Sequence, residues 1–195
     1  MFILYYFLIC FSLIGYGIFF SKFLKLSFNN YGFLGLIGIS FSVIISYFTS
    51  IFFIHNFTFN LIFLILGIIF FLFNLNLNLN YKKNVLNTFA IFLILLIFVY
   101  VGKNHDDFGY YHFPYSYLLT QMEHPIGLGH VNPGFRNASS LFFLNSLFYL
   151  PGTGIYLMQI YPVFVLGFAN LILIYSIFNK NNFNNFKIIN FLSLI

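Results

Sequence analysis

The sequence predicts an all-α fold: a polytopic transmembrane helical bundle of about five spans plus two interfacial helices in an outer loop. Three observations predict it. The apolar fraction is 61% and the charged fraction 6%, against roughly 45 to 50% and about 25% in soluble chains, so a water-soluble fold could not cover its surface. No charged residue occurs from Leu26 to Tyr81 or from Asn137 to Asn179, and each interval holds a segment of bilayer-spanning length. The apolar runs are continuous instead of alternating, which selects helices over barrel strands, because a helix satisfies its backbone polar groups within one segment.

The first run, Phe2 to Phe20, is too long for a signal peptide. It has no basic n-region and no small-residue cleavage site, and Lys22 follows it where a signal would carry its lysine in front. It is therefore read as a retained span. Tyr31 to Ile54, Phe57 to Phe73, Val85 to Val101 and Ile155 to Phe178 are the other four. Residues 1–84 thus hold three N-terminal transmembrane helices, and 85–178 form a core unit of span, outer loop and span. Residues 179–195 read as a cytoplasmic loop and the start of a truncated further helix, so the chain is expected to be the N-terminal part of a longer protein. Asn74 to Asn80 alternates Asn and Leu with a strand-like period of two, yet in an Asn-rich chain it reads as a low-complexity connection. His55, alone between two spans, reads as a loop residue.

Short cytoplasmic loops collect Lys and Arg. With the N-terminus outside, Lys22/Lys25, Lys82/Lys83 and Lys180/Lys187 become cytoplasmic, and the segment Lys103 to Arg136 faces outward. Ser139 to Leu150 is too short to be a sixth span, covering about 18 Å at 1.5 Å per residue, and is expected to lie on or dip into the membrane. The dispersed basic residues make no patch interleaved with aromatics, which excludes nucleic acid as a partner. The single Cys10, inside the first run, excludes an internal disulfide. A composition rich in Phe, Ile, Leu, Asn and Tyr, with one Arg and no Trp, points to an AT-rich bacterial source, and hence to a bacterial inner membrane.

All three carboxylates, Asp106, Asp107 and Glu123, fall in the outer loop, together with His105, His112, His124, His130 and the only arginine, Arg136. Ionisable residues held at a membrane exit are costly there and mark a functional site. Between Tyr110 and Glu123, the residues Tyr111, Tyr115, Leu118, Leu119 and Met122 recur at helical spacing, while His112, Ser116, Thr120 and Glu123 form a polar stripe. This predicts an amphipathic interfacial helix with Pro114 in its first turn. A turn-rich loop follows, with Pro125, Gly127, Gly129 and Pro133, and Asn137 or Ser139 is expected to cap a second helix from Ser140 to Leu150.

This layout, with HDDFGYYHFPYSYLL at 105–119, GLGH at 127–130 and FRNASSLFFLNSLFYLPG at 135–152, resembles the GT-C superfamily of multi-span glycosyltransferases. The likeness is to the bacterial branch of protein mannosyltransferases and lipopolysaccharide sugar transferases, and covers about residues 85–178. It implies a polyprenyl-phosphate sugar donor, an envelope lipid or glycan acceptor, and hexosyl or pentosyl transfer on the outer face. It also implies that an acidic residue of the first outer loop acts as base or metal ligand, a role that falls on Asp106 and Asp107. Three extra spans before the motif depart from the family pattern, and the later spans that complete its donor groove lie outside this sequence.

Such a transfer needs a base for the acceptor hydroxyl and positive charge for the departing phosphate. Asp107 is preferred to Asp106 as the base, the other being an orienter or metal ligand. Arg136 is the candidate phosphate ligand, because a guanidinium can hold two oxygens at once. An ion pair with Glu123 or interfacial anchoring would explain it equally well. His112, His130 and Glu123 complete the substrate-binding candidates. No HExxH-like spacing occurs. A divalent cation, Mg or Mn, held by Asp107 and His105 with the donor phosphate is left open beside no cofactor at all. The alternative class is a non-catalytic or transporter-type multi-span protein. A transporter would place ionisable groups or broken helices at mid-depth, and the spans proposed here carry neither.

Overall fold

The computed structural model describes residues 1–75, 81–102, 106–136 and 139–178, and among these the regular structure is helical, with no strand beyond one isolated bridge between Leu150 and Gly154. Five long helices stand where apolar runs predict them: α1 (Phe2–Phe23), α2 (Tyr31–Ser50), α3 (Phe57–Phe73), α4 (Tyr81–Val101) and α7 (Tyr161–Phe178). Two short ones, α5 (His112–Leu118) and α6 (Ser140–Ser146), lie between α4 and α7. Helices α1, α2 and α4 are long and apolar enough to cross a membrane, while α3 and α7 are shorter apolar helices. The whole is a helical membrane bundle.

Side-chain caps set the starts. The Asn30 side chain accepts the Gly32 N–H at 2.7 Å, Asn56 accepts that of Phe59 at 3.0 Å, and Ser139 that of Leu141 at 3.3 Å. Each satisfies an amide that the first helical turn leaves without a partner. Of the two candidate caps for α6, Ser139 serves; Asn137 lies outside the described residues.

Helix α1 is the bundle's centre, packed on α2 and α3. Without a hydrophobic driving force between helices in lipid, close association depends on small residues that let backbones touch. A Cβ at Gly17 would overlap the Leu34 carbonyl and one at Gly38 the Leu13 carbonyl, so α1 and α2 meet backbone to backbone. Helix α7 closes against α4 through Phe92, which packs on Phe164 and Phe168 at ring-centroid distances of 5.7 and 5.1 Å. The Tyr6 hydroxyl donates to the Phe92 carbonyl at 3.1 Å and ties α1 to the same seam.

Charge separates by end. Lys22 donates to the Asn74 side chain and the Asn84 side chain to the Asn29 carbonyl, so the α1–α2 turn, the end of α3 and the start of α4, with Lys22, Lys25, Lys82 and Lys83, gather at one end. At the other end the His55 N–H bonds Leu119 O at 3.0 Å and the His124 N–H bonds Ser50 O at 2.8 Å, joining the α2–α3 turn to the segment that carries Asp106, Asp107 and Glu123. Lys103, Lys180, Lys187 and residues 76–80 of the Asn/Leu run lie outside the described residues.

The short helices differ in detail from amphipathic surface helices. The predicted helix over 110–123 contracts to α5, with a 3-10 turn at Asp106–Phe108 before it. Ser116 and Thr120, read as part of a polar stripe, are buried, because their hydroxyls bond back to the His112 and Tyr117 carbonyls and present little polarity to their surroundings. Met122, read as apolar contact, is exposed. Helix α6 buries every residue from Phe142 to Ser146, packed against α2 and α5. The last span begins at Tyr161, after a separate 3-10 turn at Ile155–Leu157, where Pro162 suits a first helical turn.

Candidate functional site

Between the upper ends of α4 and α7 the seam opens into a cleft of about 640 Å³. Phe98, Val99 and Gly102 of α4 and Ile160, Pro162 and Val163 beside α7 give it apolar walls; Asp107, His112, Asn145 and Gln159 bring polar groups, and Tyr111, Tyr156 and Tyr161 rings with hydroxyls. Asp107 reaches it because of the 3-10 turn. The Asp107 carbonyl accepts the Tyr110 and Tyr111 N–H groups, each at 3.2 Å, which reverses the chain toward α5. Successive residues in such a turn point about 120° apart. Asp107 is accordingly half-buried in the cleft, and Asp106 is exposed and does not line it.

Asn145 is 4% exposed, and its Oδ1 has no hydrogen-bond partner among the described residues. Leaving a buried acceptor unmet costs about 1 to 3 kcal/mol. Asn145 lines the same cleft as Asp107, with this unmet acceptor buried at its wall. At the sequence level its one signal is an amide interrupting the apolar run Leu141 to Leu150.

Arg136 and His130 are elsewhere. With His124 they line a second cleft of about 630 Å³, walled by Tyr47, Tyr115, Phe135 and Phe143 and by the loop around Gly127 and Gly129. Arg136 Nε donates to the Gly129 carbonyl at 3.2 Å. His124 stacks on Phe143 with ring planes 5° apart and centroids 5.4 Å apart. An aromatic cluster of Tyr115, Phe142 and Phe143 with Leu119 packs α5 on α6 beside both clefts. There, burial first and Tyr47 second raise the Tyr115 hydroxyl above its ordinary value, so it stays a neutral donor. The site candidates thus fall into two groupings, Asp107 with His112 in one cleft and Arg136 with His130 in the other. Glu123 is exposed and lines neither cleft.

His55, read from sequence as a simple loop residue, is fully buried and ties the turn to the loop above it. Its Nδ1 is 2.6 Å from Ser146 Oγ, and Ser146 already donates to Phe143 O at 2.7 Å, so the Nδ1–H donates to Ser146. Its Nε2 lies 2.9 Å from the Thr49 hydroxyl, which also reaches the Ile45 carbonyl at 2.8 Å. The Asn60 amide nitrogen sits 2.8 Å from the carbonyls of His55, Ser146 and Tyr149 and completes the knot. Burial pushes the His55 pKa down to about 4, which keeps the ring neutral. The knot fixes Ser146 and, next to it in α6, Asn145.

The described residues contain no group of three His, Cys, Asp or Glu side chains able to hold a metal ion. The α4–α7 cleft offers one carboxylate, whereas Mg or Mn takes about six oxygen ligands, so these side chains do not by themselves build a cation cage. His105, the other metal candidate, lies outside the described residues. No family model matches the chain, and no curated protein and no solved structure matches it.

Proposed function

We propose that this chain is a membrane glycosyltransferase unit of GT-C type, working on a sugar carried by a polyprenyl phosphate and delivering it to a lipid or glycan of the cell envelope. The observation that carries the reading is the α4–α7 cleft, where one half-buried carboxylate and one unmet buried acceptor stand beside apolar helix walls. An isoprenoid tail would lie along Phe98, Val99 and Val163, leaving the phosphosugar at the polar end. Asp107 accepts the proton of the acceptor hydroxyl as its oxygen bonds to the anomeric carbon. The bond from that carbon to the phosphate oxygen breaks, and polyprenyl phosphate leaves with the electron pair. Asn145 Oδ1 accepts from a sugar hydroxyl, and His112, in the same cleft, donates to the leaving phosphate. Arg136, His124 and His130 line the second cleft, apart from the reacting atoms. With the lysine end cytoplasmic, the reaction occurs on the outer face of a bacterial inner membrane.

Membranes containing the full chain, supplied with a radiolabelled hexose on polyprenyl phosphate, test the reading through label reaching envelope lipid or glycan. Asp107→Asn is expected to lower transfer by about 10² to 10⁴, while Asp106→Asn keeps most of it. Transfer that survives Asp107→Asn in correctly inserted protein refutes this assignment and leaves a non-catalytic or transporter role in its place.

A further inference from the structure

At the lysine end, opposite the site above and independent of its function, α2, α4 and α7 enclose a third cleft of about 570 Å³. Asn30, the cap of α2, lines it. Its Oδ1 is used on the Gly32 N–H, while its Nδ2 is buried with no hydrogen-bond partner among the described residues, although Asn30 is only 7% exposed. A buried donor without an acceptor is destabilising unless something supplies one. The cap also puts this donor at the N-terminus of a 20-residue helix, where the first-turn amides and the helix dipole favour an anion. From α4, Lys83, Asn84 and Asn87 join it, within the first two turns of that helix. Every carboxylate side chain of the protein is at the other end, so none can neutralise Lys83. The remaining walls are Tyr31 and Leu171, both buried, with Ile174 and the half-exposed Tyr175.

From this geometry we infer a binding site for the phosphate headgroup of an anionic phospholipid. The phosphate oxygens accept from Asn30 Nδ2 and pair with Lys83, and the acyl chains run along Leu171 and Ile174 between α4 and α7. A soluble phosphate would satisfy the polar part alone; the apolar wall directly beneath it is what favours a lipid. The cleft lies at the depth where the lysines of a helical membrane protein meet headgroups.

The test uses the full chain purified in detergent, with phosphatidylglycerol and phosphatidylcholine as probes and native mass spectrometry and thermal unfolding as readouts. Asn30→Asp keeps an oxygen to cap α2 but replaces the free donor with a negative charge, and Lys83→Gln removes the cation. Phosphatidylglycerol is expected to be retained and to raise the unfolding temperature where phosphatidylcholine does not. Each variant should lower its retention about tenfold while unfolding like the parent in lipid-free detergent. Lys25→Gln, a surface lysine at the same end, should change nothing. Equal retention of the two lipids, unchanged retention in Asn30→Asp and Lys83→Gln, or an equal loss in Lys25→Gln overturns the site. Stabilisation by inorganic phosphate as large as that by phosphatidylglycerol, with the same dependence on Lys83, overturns its assignment to a lipid.

Discussion

Asn145 and His55 show how two buried polar side chains can serve opposite ends. The acceptor of Asn145 has no partner among the described residues, so Asn145→Leu, branched alike at Cγ, removes an unmet polar atom. It is expected to leave stability unchanged or raise it by about 1 kcal/mol while sharply reducing sugar transfer, a split that denaturation and transfer assays measure together. Every ring nitrogen of His55, by contrast, is engaged. Above pH 6.5 the ring is neutral folded and unfolded, and contributes no pH dependence. Between pH 6.5 and about 4 the unfolded chain takes up a proton that the folded ring refuses. Stability therefore falls as pH falls, by up to about 1.4 kcal/mol per pH unit and about 3 kcal/mol in all, then levels off. Unfolding free energies measured across this window should show the slope, and His55→Asn should abolish it. Neither residue was legible as functional in sequence. A lone histidine or asparagine among apolar neighbours signals only that it must find partners, and the Ser146 partner of His55 lies 91 residues away.

Elements held by backbone-level contact respond differently from those held by side chains. Gly38 meets the Leu13 carbonyl with no side chain in between that could move aside, whereas Gly109 has open space around its Cβ position. Gly38→Leu is expected to cost about 3 kcal/mol or more, or prevent the fold, and Gly109→Ala to be near neutral, as thermal unfolding would report. The five long helices were readable because an apolar run in lipid has one way to satisfy its backbone, and the bounds of α3 agree at both ends. Where bounds differ, polar contacts decide. Helix α2 stops at Ser50 instead of Ile54, because the Ser50 carbonyl accepts the His124 N–H and the chain must turn to bury His55. The outer segment was read from periodicity, which put Ser116 and Thr120 on a polar stripe. Its burial is set by α2 and α6, which local spacing does not encode.

For the whole molecule the defining property is the separation of charge: four described lysines at one end and all three carboxylates at the other. Cys10 is buried, so single cysteines placed elsewhere report their own accessibility. In intact cells an impermeant maleimide is expected to label Glu123→Cys and to spare Lys82→Cys until the membrane is opened. The reverse pattern would put the clefts that hold Asp107 and Arg136 on the cytoplasmic side. Most direct for the central claim, that a lipid-borne sugar donor enters between α4 and α7, is crosslinking of a photoreactive polyprenyl phosphate to the protein in vesicles. The account predicts adducts on Phe98, Val99 and the segment 160–163, suppressed by unlabelled polyprenyl phosphate. Adducts spread over the exposed faces of α2 and α3, or unaffected by that competitor, would contradict it.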